Sequence, residues 1–428
     1  MLDPKFVRDH PDLIKEAARK KRMEVDVDRF LAVEAKRRDL IALIDGDRAE
    51  QNRASKAIGN LPPAQRTEAA DRIRELKARL KSREDEQKQV EEEFRALMLR
   101  LPNPPSEDVP EGRDDTENVE IRRVGEAPRF EFQPKDHVEI GTELDVLDVA
   151  RATRMSGSRQ YLLKGLGCSL ERAVLQLALD HMVGRGFTPF QVPLLVRHEA
   201  MEGTAYFPGG EEQAYKMAKD DLYLIGTAEV SLTSIHTGEI LEEEELPKRY
   251  VALSPCFRRE AGAAGKDTRG LYRIHQFWKV EQVIIDRADE ELSRRHHLEI
   301  LKNAEDLLQD LGIPYRVVNV CTGDLGQGQV QKFDIESWMP SRNGYGETHS
   351  ASRFHDFQAR RLMLRYREQA TGKVRYCHTL NNTVIASPRV LIPLLENNQQ
   401  QDGSVIVPQI LRPYLNGVER IVPASAKS

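Results

Sequence analysis

Apolar residues recur at heptad spacing in two stretches within the first hundred residues. The first stretch has Phe30, Val33, Arg37, Leu40, Ile44, Asp47, Gln51, Ala54 and Ile58 at its seam positions, and six of these nine are apolar. The second has Ile73, Leu76, Leu80, Arg83, Gln87, Val90, Phe94, Leu97 and Leu101, and seven of these nine are apolar. Such spacing is typical of helices that pack along one narrow stripe.

The segment 59–63, with the sequence GNLPP, separates the two stretches and cannot easily be crossed by a helix. The pattern therefore predicts an antiparallel helical hairpin with arms of roughly 30 residues, or about 45 Å. A coiled-coil stalk that joins two copies of the chain fits the same pattern, and composition alone does not choose between the two.

A polar, proline-rich stretch follows the hairpin, running from LPNPP at 101–105 through SEDVPEGRDDTEN. It predicts a linker, so we expect an N-terminal helical domain over 1–105 and a second domain over 115–428. The second domain mixes expected helices (170–183 and 290–311) with expected strands (249–256, 276–285, 315–320 and 331–339). Because strands follow one another without regular βαβ alternation, the prediction is an α+β fold built on an antiparallel sheet.

Composition and charge narrow the function classes. The chain is 39% hydrophobic and 31% charged, and it has no apolar run long enough for a membrane span and no apolar stretch typical of a secretory signal at its start. Its four cysteines are far apart, which argues against disulfides and a cysteine zinc site and favours the cytoplasm. Residues 1–100 hold 24 basic and 21 acidic side chains against 40 and 48 in the remainder, which permits a nucleic-acid partner for the hairpin.

The strongest chemical signal is the sequence CFRRE at 256–260, which ends one expected strand. A Gly/Ala-rich loop with Lys266, Asp267 and Arg269 follows, and then a second strand. Arg258 on a rigid strand offers a planar fork for a phosphate or carboxylate, over which the loop could close. In isolation, F-R-R-E is more typical of a surface hairpin with solvated charges. The chain has neither a G-x-G-x-x-G opening a helix nor a P-loop, so an ATP site here is of another type.

These residues resemble class II aminoacyl-tRNA synthetases, whose motif 2 contains F-R-x-E, and the seryl enzymes in particular. Further matches follow in the family's order: GTAE at 226–229, Glu281 in KVEQ, ETHS at 347–350, and TLNNT at 379–383 with Arg389. The hairpin also matches the family's tRNA-binding arm, so the resemblance covers essentially the whole chain. Alone, ETHS is typical of a turn with an incidental carboxylate.

The resemblance implies a role for each matching residue. Arg258 and Arg389 would be the catalytic arginines. The residues implied for ATP are Arg258, Arg259, Glu260, Glu347, Thr348, His349, Ser350 and Arg389, with Glu347 and Ser350 holding Mg²⁺. The residues implied for serine are Thr227, Ala228, Glu229, Glu281 and Thr383. The segment 186–193, GFTPFQVP, corresponds to motif 1, where the family forms homodimers. No zinc is expected, because His275, His349 and the pair His296-His297 form no convincing set with the scattered cysteines.

The implied function is ATP-dependent activation of L-serine and its transfer to tRNA(Ser), with tRNA(Sec) as a further substrate. One departure is that many seryl enzymes have L-N-G-S-G where this chain has Leu380-Asn381-Asn382-Thr383-Val384, although Thr383 keeps a hydroxyl. Two alternatives stay open: a related ligase that charges a carrier protein, and an inactive coiled-coil RNA-binding paralogue. The intact arm argues against the first, and the joint presence of Arg258, Glu260, Glu281 and Arg389 against the second.

Overall fold

The structure, a computed structural model, describes residues 1–60, 62–262 and 269–423. The predicted loop residues Lys266 and Asp267 lie outside these ranges. The chain divides into two compact units, Met1–Pro104 and Pro105–Ser428. Within the described ranges, no helix combines the length and the hydrophobicity that a membrane span requires.

The first unit is entirely helical. Its helices are α1 (Pro4–Asp9), α2 (Pro11–Lys20), α3 (Val27–Ala57) and α4 (Pro63–Met98). The Asp26 carboxylate caps α3 by accepting a hydrogen bond from the Arg29 amide at 2.8 Å, and Pro63 stands in the first turn of α4, where a missing amide costs little. Ion pairs join the two long helices in antiparallel order, from Arg29–Glu93 near the base to Arg72–Glu50 towards the tip.

The heptad seam lies inside this hairpin. Every predicted seam position is buried or half-buried, and Phe30 and Phe94 pack with ring centroids 5.5 Å apart. A polar seam residue is paired across the hairpin. The buried Asp47 carboxylate forms ion pairs with Arg79 at 2.8 Å and with Arg83 at 2.5 Å. The predicted antiparallel helical arm is therefore confirmed, and its apolar stripe is covered within one chain.

The second unit is built on an eight-stranded sheet with helices packed against it. Its helices are α5 (His137–Glu143), α6 (Val149–Ser156), α7 (Leu166–Gly184), α8 (His198–Gly203), α9 (Ala228–Thr233), α10 (Glu290–Asp310), α11 (Phe357–Leu362) and α12 (Leu391–Asn397). Its strands are β1 (Val119–Val124), β2 (Thr188–Phe190), β3 (Leu195–Val196), β4 (Tyr215–Met217), β5 (Leu222–Leu224), β6 (Ile240–Glu242), β7 (Lys248–Phe257), β8 (Gln276–Asp286), β9 (Tyr315–Asn319), β10 (Gln331–Met339), β11 (Gly344–His355), β12 (Arg365–Arg367), β13 (Val374–Tyr376), β14 (His378–Ser387), β15 (Val405–Ile406) and β16 (Arg420–Ile421).

The order of the large sheet is β1-β9-β10-β11-β14-β8-β7-β2. Every neighbouring pair is antiparallel except β2–β7, which is parallel. The predicted α+β class with an antiparallel sheet is confirmed. Apolar residues of α7 and α10, such as Val174 and Leu307, pack in one core with Val280 and Ile284 of β8. Since side chains alternate along a strand, Lys279, Glu281 and Val283 of β8 face the other side of the sheet.

Candidate active site

An open cavity of about 340 Å³ lies on that other face of the sheet. It is bounded by β8, β11 and β14, by the turn that follows β7, and by the segments 204–206 and 326–329. Most of the predicted site residues line it: Glu229, Arg258, Glu260, Glu281, Glu347, Thr348, Ser350, Thr383 and Arg389. Residues that are distant in the chain therefore form one site.

A β-bulge explains how β11 supplies both a carboxylate and a hydroxyl. On a regular strand, residues three apart such as Glu347 and Ser350 would point to opposite faces. The register against β10 shifts here, because His349 pairs with Ile335 whereas Glu347 pairs with Glu336, so that Thr348 is the extra residue. The bulge thus puts Glu347 and Ser350 on the cavity face together.

Glu281 is the most enclosed acid in the cavity. Its side chain is about 3% exposed and forms an ion pair with Lys279, which lies two residues away on the same face of β8. Lys279 also donates a hydrogen bond to the Thr227 hydroxyl at 2.7 Å, and the Thr383 hydroxyl, opposite Glu281 in the ladder, lies 3.5 Å from its Oε2. Burial raises the pKa of Glu281, and the Lys279 ammonium opposes that rise. The pocket therefore offers the Glu281 carboxylate and the Thr383 hydroxyl to a small polar ligand.

A second buried acid, Glu229, stands in the first turn of α9. Tyr206 donates to its Oε2 at 3.0 Å and Gln358 to its Oε1 at 2.8 Å. Gln358 is held in turn by the Thr379 hydroxyl, which donates to its Oε1 at 2.6 Å. Burial, followed by the nearby charge of Glu281, raises the pKa of Glu229 to about 7. Its hydrogen-bond donors hold this carboxyl in one orientation in the cavity wall.

Arg258 and Glu260 enter the cavity from the turn that follows β7. The Arg258 guanidinium lies over the Phe277 ring at 5.2 Å from its centroid, and its Nε donates to the Gly226 carbonyl at 3.4 Å. Glu260 has a left-handed backbone (φ 51°), which is uncommon outside glycine and is often found at functional turns. Its carboxylate accepts a hydrogen bond from Arg273 at 3.3 Å. The fork of Arg258 is thus oriented but not consumed by strong protein contacts.

Arg389 follows β14 and is held beside β11. Its Nε donates to the Tyr272 carbonyl at 3.2 Å, its Nη1 donates to the Glu347 carbonyl at 3.1 Å, and its guanidinium lies 4.5 Å from the Tyr272 ring centroid. Although partial desolvation within the cavity favours the neutral acid, Arg389, Lys332 and Arg258 together lower the pKa of Glu347. The cavity therefore combines several cations with an ionised, half-exposed carboxylate, an arrangement suited to a polyphosphate and its metal.

Known proteins match nearly the whole chain. A family model described as the seryl-tRNA synthetase N-terminal domain matches residues 1–105, and one described as the tRNA synthetase class II core domain (G, H, P, S and T) matches residues 214–398. A serine–tRNA ligase from Deinococcus radiodurans is 48% identical over 422 residues, which cover 98% of each protein.

The chain belongs to the seryl-tRNA synthetase family.

Solved structures of this family superimpose closely on the chain. The seryl-tRNA synthetase of Pyrococcus horikoshii, complexed with ATP, matches with a TM-score of 0.92 and 40% identity, over 99% of this chain and all of that one. The cytoplasmic serine–tRNA ligase of Naegleria fowleri, in complex with AMP, matches with a TM-score of 0.88 and 32% identity, over 99% of both chains. The resemblance inferred from the sequence motifs is confirmed.

Four residues that the family resemblance implied do not line the cavity: Thr227, Ala228, Arg259 and His349. Thr227 caps α9 by accepting the Glu229 amide at 3.2 Å, and Ala228 is fully buried behind it. Arg259 points outwards to the main chain and side chain of Glu212. His349 faces away from the cavity within the sheet, and burial lowers its pKa to about 3.

Several cavity residues were missed by sequence reasoning. Lys279 could have been found, because its spacing of two from Glu281 on an expected strand places both side chains on one face. Tyr206 and Tyr272 carry no such local signal, since each meets its partner only through the fold. Both are central to the site, because the Tyr206 hydroxyl donates a hydrogen bond to Glu229 and the Tyr272 ring packs against the Arg389 guanidinium.

The class II family uses ATP with a divalent metal, and the oxygen atoms of this cavity fit one. Magnesium keeps several water ligands and takes few from protein, typically one or two carboxylates in addition to substrate phosphates. Glu347 and Ser350 both line the cavity, and the lowered pKa of Glu347 keeps it ionised. Among the residues described, no three His, Cys, Asp or Glu side chains are grouped to hold a metal by themselves.

Proposed function

We propose that this chain activates L-serine with ATP, forming seryl-adenylate and pyrophosphate, and then transfers the seryl group to the 3′ end of tRNA(Ser). The relatives that match over their full length are serine–tRNA ligases. The observation that carries the proposal is one cavity that holds two arginines from separate walls, Arg258 and Arg389, together with the buried acid Glu281. The arginines suit the phosphates of ATP, and the acid suits an amino-acid ammonium.

In the activation step, a serine carboxylate oxygen attacks the α-phosphorus while the bond from that phosphorus to the pyrophosphate oxygen breaks. Arg258 contacts the α-phosphate and the serine carboxylate, and Arg389 contacts the γ-phosphate. Glu260 accepts a hydrogen bond from the adenine amino group. No side chain needs to act as a nucleophile. The guanidinium groups of Arg258 and Arg389 hold the triphosphate in line for attack. In a partly desolvated cavity, they orient the substrate and stabilise the charge that develops.

Serine is recognised by Glu281, Thr383 and Glu229. The Glu281 carboxylate pairs with the substrate ammonium and, with the Thr383 hydroxyl, bonds the substrate hydroxyl. Lys279 occupies Oε2 of Glu281, which directs the other carboxylate oxygen to the ligand. Alanine is rejected because it would leave these buried polar groups without a partner.

Replacing Glu281 by glutamine should raise the KM for serine roughly 30-fold, about 2 kcal/mol, and leave the KM for ATP within about twofold. The neutral amide loses the charge-assisted bond to the ammonium and leaves Lys279 without its counter-ion. Serine-dependent exchange between pyrophosphate and ATP measures both constants. Glu336→Gln is a matched control. Glu336 is also a strand carboxylate, but it accepts a hydrogen bond from Arg316 at 2.6 Å and does not line the cavity. A loss of ATP affinity with serine affinity unchanged would contradict the pocket assignment.

Mg²⁺ accompanies ATP, with Glu347 and Ser350 as its protein ligands. When bound, the metal neutralises phosphate charge. Glu347 holds its own position through the cations around it, chiefly Arg389, whose Nη1 lies 3.7 Å from its Oε1. We expect no zinc in this site.

The two units divide the work. Residues 1–105 form the tRNA-binding arm, and residues 115–428 form the catalytic domain that binds ATP and serine and dimerises. The homodimer contact uses the motif 1 segment 186–193, which includes β2 at the edge of the large sheet. The enzyme acts in the cytoplasm and also serylates tRNA(Sec).

Serine-dependent pyrophosphate exchange, combined with charging of total tRNA by each of the twenty amino acids, tests this function. We expect exchange with serine alone and charging with serine alone. Exchange without charging of tRNA would favour a ligase for a carrier protein, and neither activity would favour an inactive RNA-binding paralogue. Charging with another amino acid would overturn the proposed serine pocket.

A further inference from the structure

One buried amide, Gln358, joins three parts of the cavity wall, although it lies outside the motifs that match the family. Its Nε2 donates to Oε1 of Glu229 at 2.8 Å and to the Thr204 carbonyl at 3.1 Å, and its Oε1 accepts a hydrogen bond from the Thr379 hydroxyl at 2.6 Å. We propose that Gln358 is a positioning residue of the serine pocket, which holds the Glu229 carboxylate as a charged acceptor for the substrate ammonium. This inference rests on the proposed function.

The orientation of this amide is fixed by its partners. Gln358 is about 1% exposed and lies in the first turn of α11, just after β11. It comes close to β14 there, since His355 at the end of β11 pairs with Thr379. A carbonyl such as that of Thr204 only accepts hydrogen bonds, so the atom that faces it is the amide nitrogen. A reversed amide would place its oxygen against two acceptors, and the observed orientation is therefore the one that satisfies every partner.

The same amide anchors the segment 204–206, which lines the cavity. Gln358 holds the Thr204 carbonyl, Ala205 has a left-handed backbone (φ 68°), and the Tyr206 hydroxyl then donates to Oε2 of Glu229 at 3.0 Å. Burial raises the pKa of Tyr206 well above its usual range, so this hydroxyl keeps its proton and stays a donor. Each oxygen of Glu229 thus accepts one hydrogen bond, from Gln358 or from a tyrosine in the segment that Gln358 anchors.

The charges of the pocket show why an ionised Glu229 matters for serine. Glu229 and Glu281 line the same cavity, and Lys279 forms an ion pair with Glu281. Two ionised acids and one lysine leave a single negative charge, which one substrate ammonium neutralises. A protonated Glu229 would remove that charge. Because hydrogen bonds donated to a carboxylate favour its ionised form, Gln358 stabilises the state of the pocket that binds an ammonium.

This role predicts a pH dependence of serine binding. Burial and the charge of Glu281 raise the pKa of Glu229 to about 7, whereas Gln358, Lys279 and Tyr206 oppose the rise. The other charged group nearby is Arg258, which lies in the turn after β7 and lowers the pKa of both Tyr206 and Glu281. The ionised fraction of Glu229 therefore grows as pH increases through neutrality. Loss of the Gln358 donor raises this pKa further, so serine binding should then require a higher pH.

The test measures serine-dependent pyrophosphate exchange by the full chain between about pH 6 and pH 8, where serine keeps its ammonium. Gln358→Met has nearly the same shape but no hydrogen bonds to offer. It should raise the KM for serine about 10-fold at neutral pH and move the pH profile of that KM upwards by about one unit. The KM for ATP, and kcat at saturating serine, should stay within about twofold of wild type. Thr379→Val, which only frees the Gln358 amide to rotate, should give a smaller change in the same direction.

Gln399 supplies a matched control for the loss of a buried amide. It is about 4% exposed, donates to the carbonyls of Lys135 at 3.1 Å and Glu396 at 2.9 Å, and accepts the Lys135 amide at 2.8 Å. These are again two donated hydrogen bonds and one accepted, but Gln399 does not line the cavity and contacts no residue that does. Gln399→Met should therefore lower the melting temperature about as much as Gln358→Met, with the pH profile for serine unchanged.

A second background shows whether Gln358 acts through Glu229. In Glu229→Gln, the titrating carboxyl is gone, so adding Gln358→Met should cause no further shift of the pH profile and little further rise in the KM for serine. Additive effects in the double variant, or equal rises in the serine KM for Gln358→Met and Gln399→Met, would assign Gln358 a structural role and overturn the inference. An unchanged serine KM in both Gln358→Met and Thr379→Val would overturn it as well. Absence of serine-dependent exchange in the wild type would instead refute the proposed function.

Discussion

Replacing Arg258 by alanine should lower kcat/KM for serine-dependent pyrophosphate exchange by at least about 100-fold, a loss of roughly 3 kcal/mol, without unfolding the protein. The contacts of this side chain within the protein are weak: a 3.4 Å hydrogen bond to the Gly226 carbonyl and a position 5.2 Å from the Phe277 ring centroid. Under the proposed function, its principal partners are the α-phosphate and the serine carboxylate. Because charge on these groups changes during attack, the loss should appear in kcat as well as in KM.

Arg259→Ala is the matched comparison, since it removes the same side chain one residue further along. Arg259 points away from the cavity and contacts Glu212, so we expect at most a few-fold loss of exchange. Thermal melting should give closely similar midpoints for wild type and both variants. Near-normal exchange by Arg258→Ala would remove this residue from the proposed site. Equal losses in the two variants would show that the total charge of the turn matters more than the position of the Arg258 guanidinium.

The strands that were predicted from sequence have a clear apolar alternation or a β-branched run. The prediction of 331–339 coincides with β10, that of 249–256 is one residue short of β7 at each end, and that of 276–285 is one residue short of β8 at its carboxyl end. By contrast, β11 and β14 were not predicted, although both are central strands. Their sequences, GYGETHSASRFH and HTLNNTVIAS, are rich in Gly, Ser, Thr, Asn and His because one face lines a polar cavity.

The ETHS segment shows how polar residues on a cavity-lining strand mislead a prediction from local sequence. Four polar residues in a row are typical of a turn, yet they lie in the middle of β11 and contain its bulge. Only the order of several motifs along the chain indicated that Glu347 and Ser350 belong to a site. Contacts such as Tyr206 with Glu229 depend on tertiary packing, which no local pattern encodes.

The arm was predicted well because its signal is local and periodic. The heptad pattern did not predict partners for the polar seam positions. The structure shows that Asp47 forms ion pairs with Arg79 and Arg83 across the hairpin. These pairs tie the two helices together midway along their length. The part of the hairpin beyond them can therefore be removed while its base keeps its contacts.

Replacing residues 51–78 by a short Gly/Ser bridge should leave serine activation within about twofold of wild type but reduce charging of tRNA by at least about 100-fold. The new ends lie close together, because Glu50 and Arg79 are joined by an ion pair of 3.4 Å. The deletion keeps the pairs of Asp47 and the packing of Phe30 against Phe94. The catalytic cavity lies in the other compact unit, so exchange should persist.

The removed segment also carries the positive charge of the arm. It holds six basic side chains against three acidic ones, a balance of +3, which equals the balance of the whole stretch 1–100. A double-stranded part of tRNA is contacted mainly through phosphates and shape, so binding should weaken as salt rises. The truncated protein should bind tRNA(Ser) more weakly and with a shallower dependence on salt concentration, measured by filter binding at several ionic strengths.

A charge-only variant separates the arm's electrostatics from its shape. Changing Lys56, Arg66 and Lys77 to glutamine keeps the hairpin while lowering its charge, and should weaken tRNA binding at low salt more than at high salt. Loss of exchange together with charging in the deletion would show that the arm supports the catalytic domain. Charging that survives the deletion would refute the tRNA-binding role and favour a coiled-coil stalk that joins two copies of the chain.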